Sequence, residues 1–294
     1  MISLWGGDWG CDSEVGSLKA VLLRRPGKEI EGIKDPKQCR WLEVLNPEKA
    51  RDQHDELAAL FQAQGIAVFY VDRMRGDRPN AFFMRDNILM TPEGAIIGRQ
   101  AMACRRGEER FAAEALGRLG VPILRTISGQ GIFETACCLW VDAETVIFGI
   151  GNRANTEGIR QLKEILKQVG VTHFLQMKIP DGYAHIDSIV SFIDKKTAMI
   201  DSLRFPPDLG KALKEREVTL LEAPSAEETT NLSLNFVALS PGVILFASGF
   251  PETKFALIEH GIKVIEIDVS ELRKGWGSLH CMTAVLKREP IGFP

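Results

Sequence analysis

Apolar residues in this chain come in short runs arranged in pairs, and behind each pair lie an amphipathic stretch and one further short run. Ile88-Leu89-Met90-Thr91 and Ala95-Ile96-Ile97-Gly98 flank the turn Pro92-Glu93-Gly94 and predict a hairpin. A helix over 108–119 and a strand at Pro122-Ile123-Leu124 follow. The same order returns with strands at 136–142 and 145–149 and a helix over 156–169. Ile159, Leu162, Ile165, Leu166 and Val169 share one side of that helix, and a strand at 173–176 closes the unit. It returns again with strands at 188–193 and 198–200, a helix near 209–216 and a strand at 218–221. Strands at 234–239 and 243–246, a helix over 252–260 and a strand at 263–267 repeat it once more.

A looser unit opens the chain, with a strand at 18–23, a helix over 47–64 and a strand at 67–71. The starts fall roughly 45 to 65 residues apart, a period that signals an array or propeller and not a Rossmann sheet. Five ββαβ-type units predict an α/β ring whose last strand, 284–287, completes the first unit. No Pro/Gly/Ser-rich linker divides the sequence, so one domain spanning 1–294 is expected. An α/β protein whose hairpins recur by chance is the alternative.

Composition narrows the chemistry. The 294 residues are 45% hydrophobic and 26% charged, ordinary for a globular chain. A net charge of -3 and a pI of about 6.0 give no electrostatic reason to expect a nucleic-acid partner. No apolar run reaches the roughly 18 residues of a membrane helix, and Met1-Ile2-Ser3-Leu4-Trp5 leads into glycines and acids, not a signal segment. The six cysteines show no CxxC spacing and include the adjacent Cys137-Cys138, which suits neither a zinc site nor a disulfide framework. A cytoplasmic location is expected. Neither GxGxxG nor a phosphate-loop pattern occurs, so no cofactor and no metal are expected. Self-association stays open.

Polar residues that strand packing does not require cluster at the joints between units. Asn80 and Arg85-Asp86 precede the second unit and Glu134 the third, while Arg153 ends the third unit's hairpin. His185-Ile186-Asp187 precedes the fourth. Cys281 follows the glycine-rich stretch Gly275-Trp276-Gly277-Ser278 and precedes the closing strand. In a ring of units these joints converge at one end of the axis, bringing together a histidine, three carboxylates and a thiol.

Two carboxylates, Asp86 and Asp187, suit a planar cation such as guanidinium, which presents paired N–H donors. A thiolate can attack its central carbon while a histidine held by Glu134 moves protons. Each residue also has a structural reading: Asp86 pairing with Arg85 on the surface, Glu134 as a solvated loop acid, His185 and Asp187 in a surface turn. His280 is adjacent to Cys281. Neighbours in extended chain point to opposite faces, however, so only one of the two should face the cavity, and His185 is the expected base. His54, His173 and His260 read as surface or satisfied core residues.

The run Asp12-Ser13-Glu14-Val15-Gly16-Ser17-Leu18 through Arg24-Arg25-Pro26-Gly27 resembles the opening of arginine deiminases and amidinotransferases. Asn80 to Asp86 resembles their Asn-x4-Arg-Asp motif, His185-Ile186-Asp187 their His-x-Asp, and Leu279-His280-Cys281-Met282-Thr283 their nucleophile motif. The resemblance covers essentially the whole chain and implies the pentein fold, a fivefold pseudosymmetric α/β propeller. It implies Cys281 as nucleophile, His185 as general acid/base, Glu134 as its orienting partner, and Asp86 and Asp187 as guanidinium ligands. Asn80, Arg105 (with Arg106 as its neighbouring alternative) and Arg153 match the groups that hold the α-carboxylate and backbone of an arginine-like substrate.

The implied activity is arginine deiminase-like hydrolysis of a guanidino substrate, with amidinotransfer to an amine or methylarginine hydrolysis as alternatives. A non-catalytic binding protein on the same fold is a further alternative. Two departures stand out. The usual Glu-Gly-Gly-Asp segment reads Glu134-Thr135-Ala136-Cys137, and the helical insertion of larger bacterial arginine deiminases is missing.

Overall fold

The computed structural model describes residues 9–291. Its strands form five three-stranded sheets. The first contains β1 (Leu18–Leu23), followed by α1 (Pro47–Ala63) and β2 (Ala67–Tyr70). The second is built from β3 (Ile88–Thr91), β4 (Gly94–Ile97), α2 (Glu109–Arg118) and β5 (Ile123–Thr126), the third from β6 (Cys138–Asp142), β7 (Thr145–Ile150), α3 (Thr156–Gln168) and β8 (His173–Lys178). The fourth has β9 (Val190–Asp194), β10 (Thr197–Ile200), α4 (Pro207–Lys214) and β11 (Thr219–Glu222). A short α5 (Ala226–Thr230) leads to the fifth: β12 (Val237–Ser240), β13 (Val243–Ala247), α6 (Pro251–Glu259) and β14 (Lys263–Ile267). After α7 (Ser270–Arg273) and α8 (Leu279–Met282), β15 (Ala284–Arg288) pairs antiparallel with β1, whose other edge takes β2 in parallel. The last strand thus completes the first unit, as the periodicity predicts.

Every sheet has one antiparallel pair and one parallel pair joined through a helix. The hairpin strands are buried almost throughout, whereas β5, β8 and β14 are mostly exposed or half-buried. Strands covered on both faces read as continuous apolar runs, which is why the hairpins stand out in the sequence. The helices begin where local chemistry starts them. The Asn46 side chain caps Glu48 and Lys49 ahead of Pro47, and Asn155 caps Gly158. Gly158 lies so close to the Ile132 carbonyl that a Cβ would sit 2.1 Å from its oxygen, so α3 packs here only with glycine.

One systematic difference from the sequence reading decides the site. The strands expected from 136, 188 and 234 begin instead at Cys138, Val190 and Val237. A tight turn precedes each: the helical turns Thr135–Cys137 and Ile186–Ser188, and the non-helical turn Leu232–Asn235, closed by the Asn235 N–H to the Leu232 carbonyl at 3.1 Å. The turn Met84–Asn87 stands in the same place before β3, and α8 before β15. A hydrophobic run does not distinguish these turns from strand, because their residues are buried as deeply as the strand that follows.

His54 corrects another expectation. It is fully buried in α1, yet neither ring nitrogen has a hydrogen-bond partner, so it is not a satisfied core residue. Burial, offset only in part by Asp55, pushes its pKa down from 6.5 to about 4. The unfolded chain takes up this proton near its ordinary pKa while the folded chain resists until about 4. His54 therefore lowers stability as pH falls through that window, by about 2 kcal/mol between neutral pH and about pH 5. Urea denaturation of His54→Leu should show a shallower loss of stability over that range; a slope identical to the parent's would rule the assignment out.

Candidate active site

The tight turns pack against one another: Met84–Asn87 touches both Thr135–Cys137 and α8, and Thr135–Cys137 touches Ile186–Ser188. Each carries or adjoins one of the polar residues singled out above. Asn80, Asp86, Arg105, Arg153, His185 and Cys281 line a single cavity. Glu134 is fully buried and Asp187 nearly so; each contacts a residue on the cavity wall. The turns bring the residues together in space although they lie up to two hundred positions apart in sequence.

His185 Nε2 meets Glu134 Oε2 at 2.8 Å, and His185 Nδ1 lies 3.7 Å from Asp86 Oδ1. Burial alone would lower the pKa of this imidazole, but Asp86, Glu134 and Asp187 outweigh it and hold the pKa above its ordinary value. Glu134 is held below the usual carboxylate range. Burial opposes this, but the His185 bond and the charges of His185, Arg153 and Arg105 prevail. Glu134 also accepts from Arg153 Nη1 at 3.1 Å and from the Ala101 N–H at 3.0 Å. Asp86 pairs not with Arg85 but with Arg105, and its Oδ1 is buried without any hydrogen-bond partner.

Cys281 sits in α8, not at an extended loop-to-strand junction. One helical step separates it from His280, so the two side chains still diverge. Cys281 faces the cavity, whereas His280 turns inward to Asp187 Oδ2 at 2.8 Å and to Glu14 Oε2 at 3.3 Å. The Cys281 thiol lies 3.8 Å from that same Asp187 oxygen. Burial, with Asp187 and Asp86 adding to it, pushes the thiol pKa well above its ordinary value, against smaller help from Ser278 and Asn235. The glycine-rich stretch before α8 has a steric cause. A Cβ on Gly277 would come within 2.4 Å of the Phe83 ring.

The three arginine-type anchors differ from one another. Arg105 has its donors engaged by Glu108, Asp86 and the carbonyls of Asn80 and Phe83. Arg106, its neighbour, is exposed and donates to the Ala101 carbonyl. Arg153 uses only Nη1 on Glu134. Asn80 accepts from Trp41 Nε1 at 2.5 Å and donates to the Cys39 carbonyl at 2.8 Å, tying residues 39–41 to the cavity wall. Asp86, Glu134 and His185 each offer a donor atom within 4.8 Å of the others, a spacing that can hold a metal ion. Both carboxylates already have arginine partners here.

Sequence reading missed Asn235, Glu14 and the role of Arg85. Asn235 Oδ1 accepts from the Cys281 N–H at 3.2 Å and its Nδ2 donates to the Asp187 carbonyl at 3.4 Å. Its signal was its place at the joint before the fifth unit, hidden inside an apolar run. Arg85 bridges two turns through the carbonyls of Thr135 at 3.0 Å and Cys138 at 2.7 Å. The Thr135-Ala136-Cys137 departure leaves the turn intact. Cys137 N–H donates to the Glu134 carbonyl at 2.9 Å, and none of the three residues has a left-handed φ.

A family model described as N,N dimethylarginine dimethylhydrolase, eukaryotic, matches residues 37–288. The uncharacterized protein YkgA of Bacillus subtilis is 26% identical over 284 residues, 95% of each chain. An arginine deiminase of Latilactobacillus sakei is 22% identical, covering 95% of this chain and 98% of that one. Among solved structures, a cysteine-to-serine mutant of a Pseudomonas aeruginosa dimethylarginine dimethylaminohydrolase (DDAH), complexed with citrulline, superposes with a TM-score of 0.76 at 22% identity. It covers 92% of this chain and all of that one. An inosamine-phosphate amidinotransferase of Streptomyces griseus gives a TM-score of 0.76 at 14% identity, over 96% and 97% of the two chains. The five sheets are therefore those of the pentein fold. With the match spanning most of its length, the chain belongs to the N,N dimethylarginine dimethylhydrolase family, among the guanidino-modifying enzymes of the pentein superfamily.

Proposed function

We propose that this protein, as one domain over 1–294, hydrolyses the guanidino group of an arginine-type substrate through a covalent intermediate on Cys281. The observation that carries the reading is the buried, unpartnered Asp86 Oδ1 facing His185 in the cavity lined by Cys281. A buried acceptor without a donor is costly, and a guanidinium N–H supplies the donor it lacks. Asp187, beside the thiol, offers the second carboxylate.

In this scheme Cys281 adds as thiolate to the guanidinium carbon. His185 protonates the departing nitrogen, the C–N bond breaks and the amine leaves, while the amidino group stays on sulfur. His185, now neutral, takes a proton from water. Addition of that water to the amidino carbon and cleavage of the C–S bond release the ureido product. Glu134 keeps the ring oriented and supports its charged form. Because Asp86 and Asp187 disfavour the thiolate in the unliganded cavity, the bound cation itself lowers the thiol pKa.

The leaving group is ammonia for arginine and a methylated amine for a methylarginine. The family match favours the second no less than the relatives favour the first. In the transferase variant the C–N bond to the substrate's alkyl chain breaks instead, the alkylamine leaves, and an added amine takes the unsubstituted amidino group from sulfur as the C–S bond breaks. Incubation with arginine, dimethylarginine, agmatine and guanidinoacetate, with and without glycine or ornithine, separates these. Ureido product with equimolar ammonia or methylated amine supports hydrolysis. Transfer to the added amine without ureido product contradicts it, and no conversion of any of the four contradicts the enzymatic reading.

A further inference from the structure

Two histidines of this protein each sit between two carboxylates, and one of the two lines the cavity while the other does not. His185 lies between Glu134 and Asp86 and faces the cavity. His280 is buried away from it, with Nδ1 2.8 Å from Asp187 Oδ2 and Nε2 3.3 Å from Glu14 Oε2. A neutral imidazole has one N–H and would leave its other nitrogen lone pair against a carboxylate. Both contacts are satisfied together only by the imidazolium. Burial opposes that charge, but Asp187 and Glu14 outweigh it and hold the His280 pKa above its ordinary value. Glu14 is itself fixed, accepting from the Trp140 N–H at 3.1 Å and lying 3.7 Å from Arg85 Nη2. Besides His280, Arg85 and Arg288 act on Glu14, and His185 and Arg85 act on Asp187. The remaining wall around Glu14 and His280 is Leu139, Val190, Ser191, Phe192, Phe236 and Ala238, with no titratable group among them.

We propose that His280, bridged to Glu14, is a positioning residue that holds Asp187 as a fixed, ionised carboxylate beside the Cys281 thiol. This rests on the guanidino reading above, in which Asp187 receives the cation. An ionised carboxylate is costly to bury without a partner, and Asp187 is only 1% exposed. The thiol 3.8 Å from its Oδ2 carries no positive charge to offset it. His280 supplies that charge by direct contact without lining the cavity, so it does not compete with a ligand for space. Glu14, from the segment before β1, keeps the ring charged and joins the opening of the chain to the closing helix α8.

Nitrogen NMR of isotope-labelled histidine rings tests the charge. Calorimetric titration of L-arginine into Cys281→Ala, with and without His280→Gln, tests its consequence. Both His280 nitrogens are expected to be protonated at neutral pH, and the titration midpoint should fall in Glu14→Gln, because a neighbouring negative charge is removed. In His280→Gln, Asp187 loses its cation and its pKa rises, so it takes up a proton as pH falls and no longer holds a guanidinium. The dissociation constant of L-arginine should therefore rise about ten- to a hundredfold over the Cys281→Ala parent at about pH 6, with the ratio narrowing towards about pH 8. His185 titrates in both proteins, so the ratio of the two constants is the quantity to read. A merely structural role would give the same ratio at every pH. A singly protonated His280 at neutral pH, a midpoint unmoved by Glu14→Gln, or a pH-independent ratio overturns the proposal. The ring titration needs no change at 280 and decides the matter even where His280→Gln does not fold. A charged ring that answers to Glu14→Gln, with no L-arginine binding to the parent, upholds the bridge and counts against the guanidino reading alone.

Discussion

Replacing Cys281 by alanine is expected to abolish conversion of the guanidino substrate, with kcat falling by about four orders of magnitude or more. No other group on the cavity wall offers a comparable nucleophile. Cys39 also lines the cavity, but its thiol is pushed up to about 11 by burial with Cys104 and Asp35, not by Asp187 and Asp86, the carboxylates whose neutralisation by a bound cation lowers the Cys281 thiol. Cys137 is fully buried beneath Glu134 and Asp86, where burial and those charges push its thiol well above its ordinary value. Substrate affinity and the thermal transition should survive, because Asp187 Oδ2, which lies 3.8 Å from the thiol, keeps its bond to His280. Acid-quenched wild-type protein should carry an amidino adduct by intact mass, and Cys281→Ala should not. Iodoacetamide should label Cys281 with an apparent pKa above that of a free thiol, falling when a non-reacting guanidinium ligand is bound. Residual turnover above about one per cent in Cys281→Ala, or a labelling pKa indifferent to ligand, would remove the thiol from the mechanism.

His185→Ala is expected to cost about 10²- to 10⁴-fold in kcat, the usual worth of a positioned acid–base group. The loss should fall on kcat more than on KM, because Asp86 and Asp187 remain to hold the cation. Glu134→Gln offers a finer measurement. The carboxylate is one of the groups that hold the His185 pKa above its ordinary value against burial. Removing its charge lowers that pKa. A step that needs the protonated ring is lost as pH rises through the His185 pKa, so the alkaline limb of the kcat profile should move to lower pH in Glu134→Gln. An unmoved limb, or a shift in the opposite sense, would mean that another group supplies the proton.

Much of this architecture is legible in one chain because it repeats. The hairpin strands are covered on both faces, so each unit writes a pair of continuous apolar runs, and the crossover helix writes a stripe such as Ile159, Leu162, Ile165 and Leu166. The boundaries were less legible where a buried turn precedes a strand. Leu234-Asn235-Phe236 reads as strand by hydrophobicity, yet the strand starts only at Val237, and Asn235, at the end of the turn from Leu232, bonds the Cys281 backbone. Burial, which the apolar pattern reports, is the same for both conformations; which backbone forms depends on the neighbouring turns.

The site divides along the same line. Residue identity and motif spacing were sufficient to single out Cys281, His185, Glu134, Asp86 and Asp187, because charged groups beside buried strands are costly without a task. Their pairings were not. Asp86 is held by Arg105 and not by its neighbour Arg85, and His280 is drawn to Glu14 from the far end of the chain. The repeating unit, the closing strand and the kinds of group at each joint follow from local periodicity and residue chemistry alone. Which charges are neutralised inside the protein and which remain for a ligand follows from the packing of the units. Ion pairing depends on distances of a few ångströms between residues far apart in sequence, and those distances exist only once the five units close on one another.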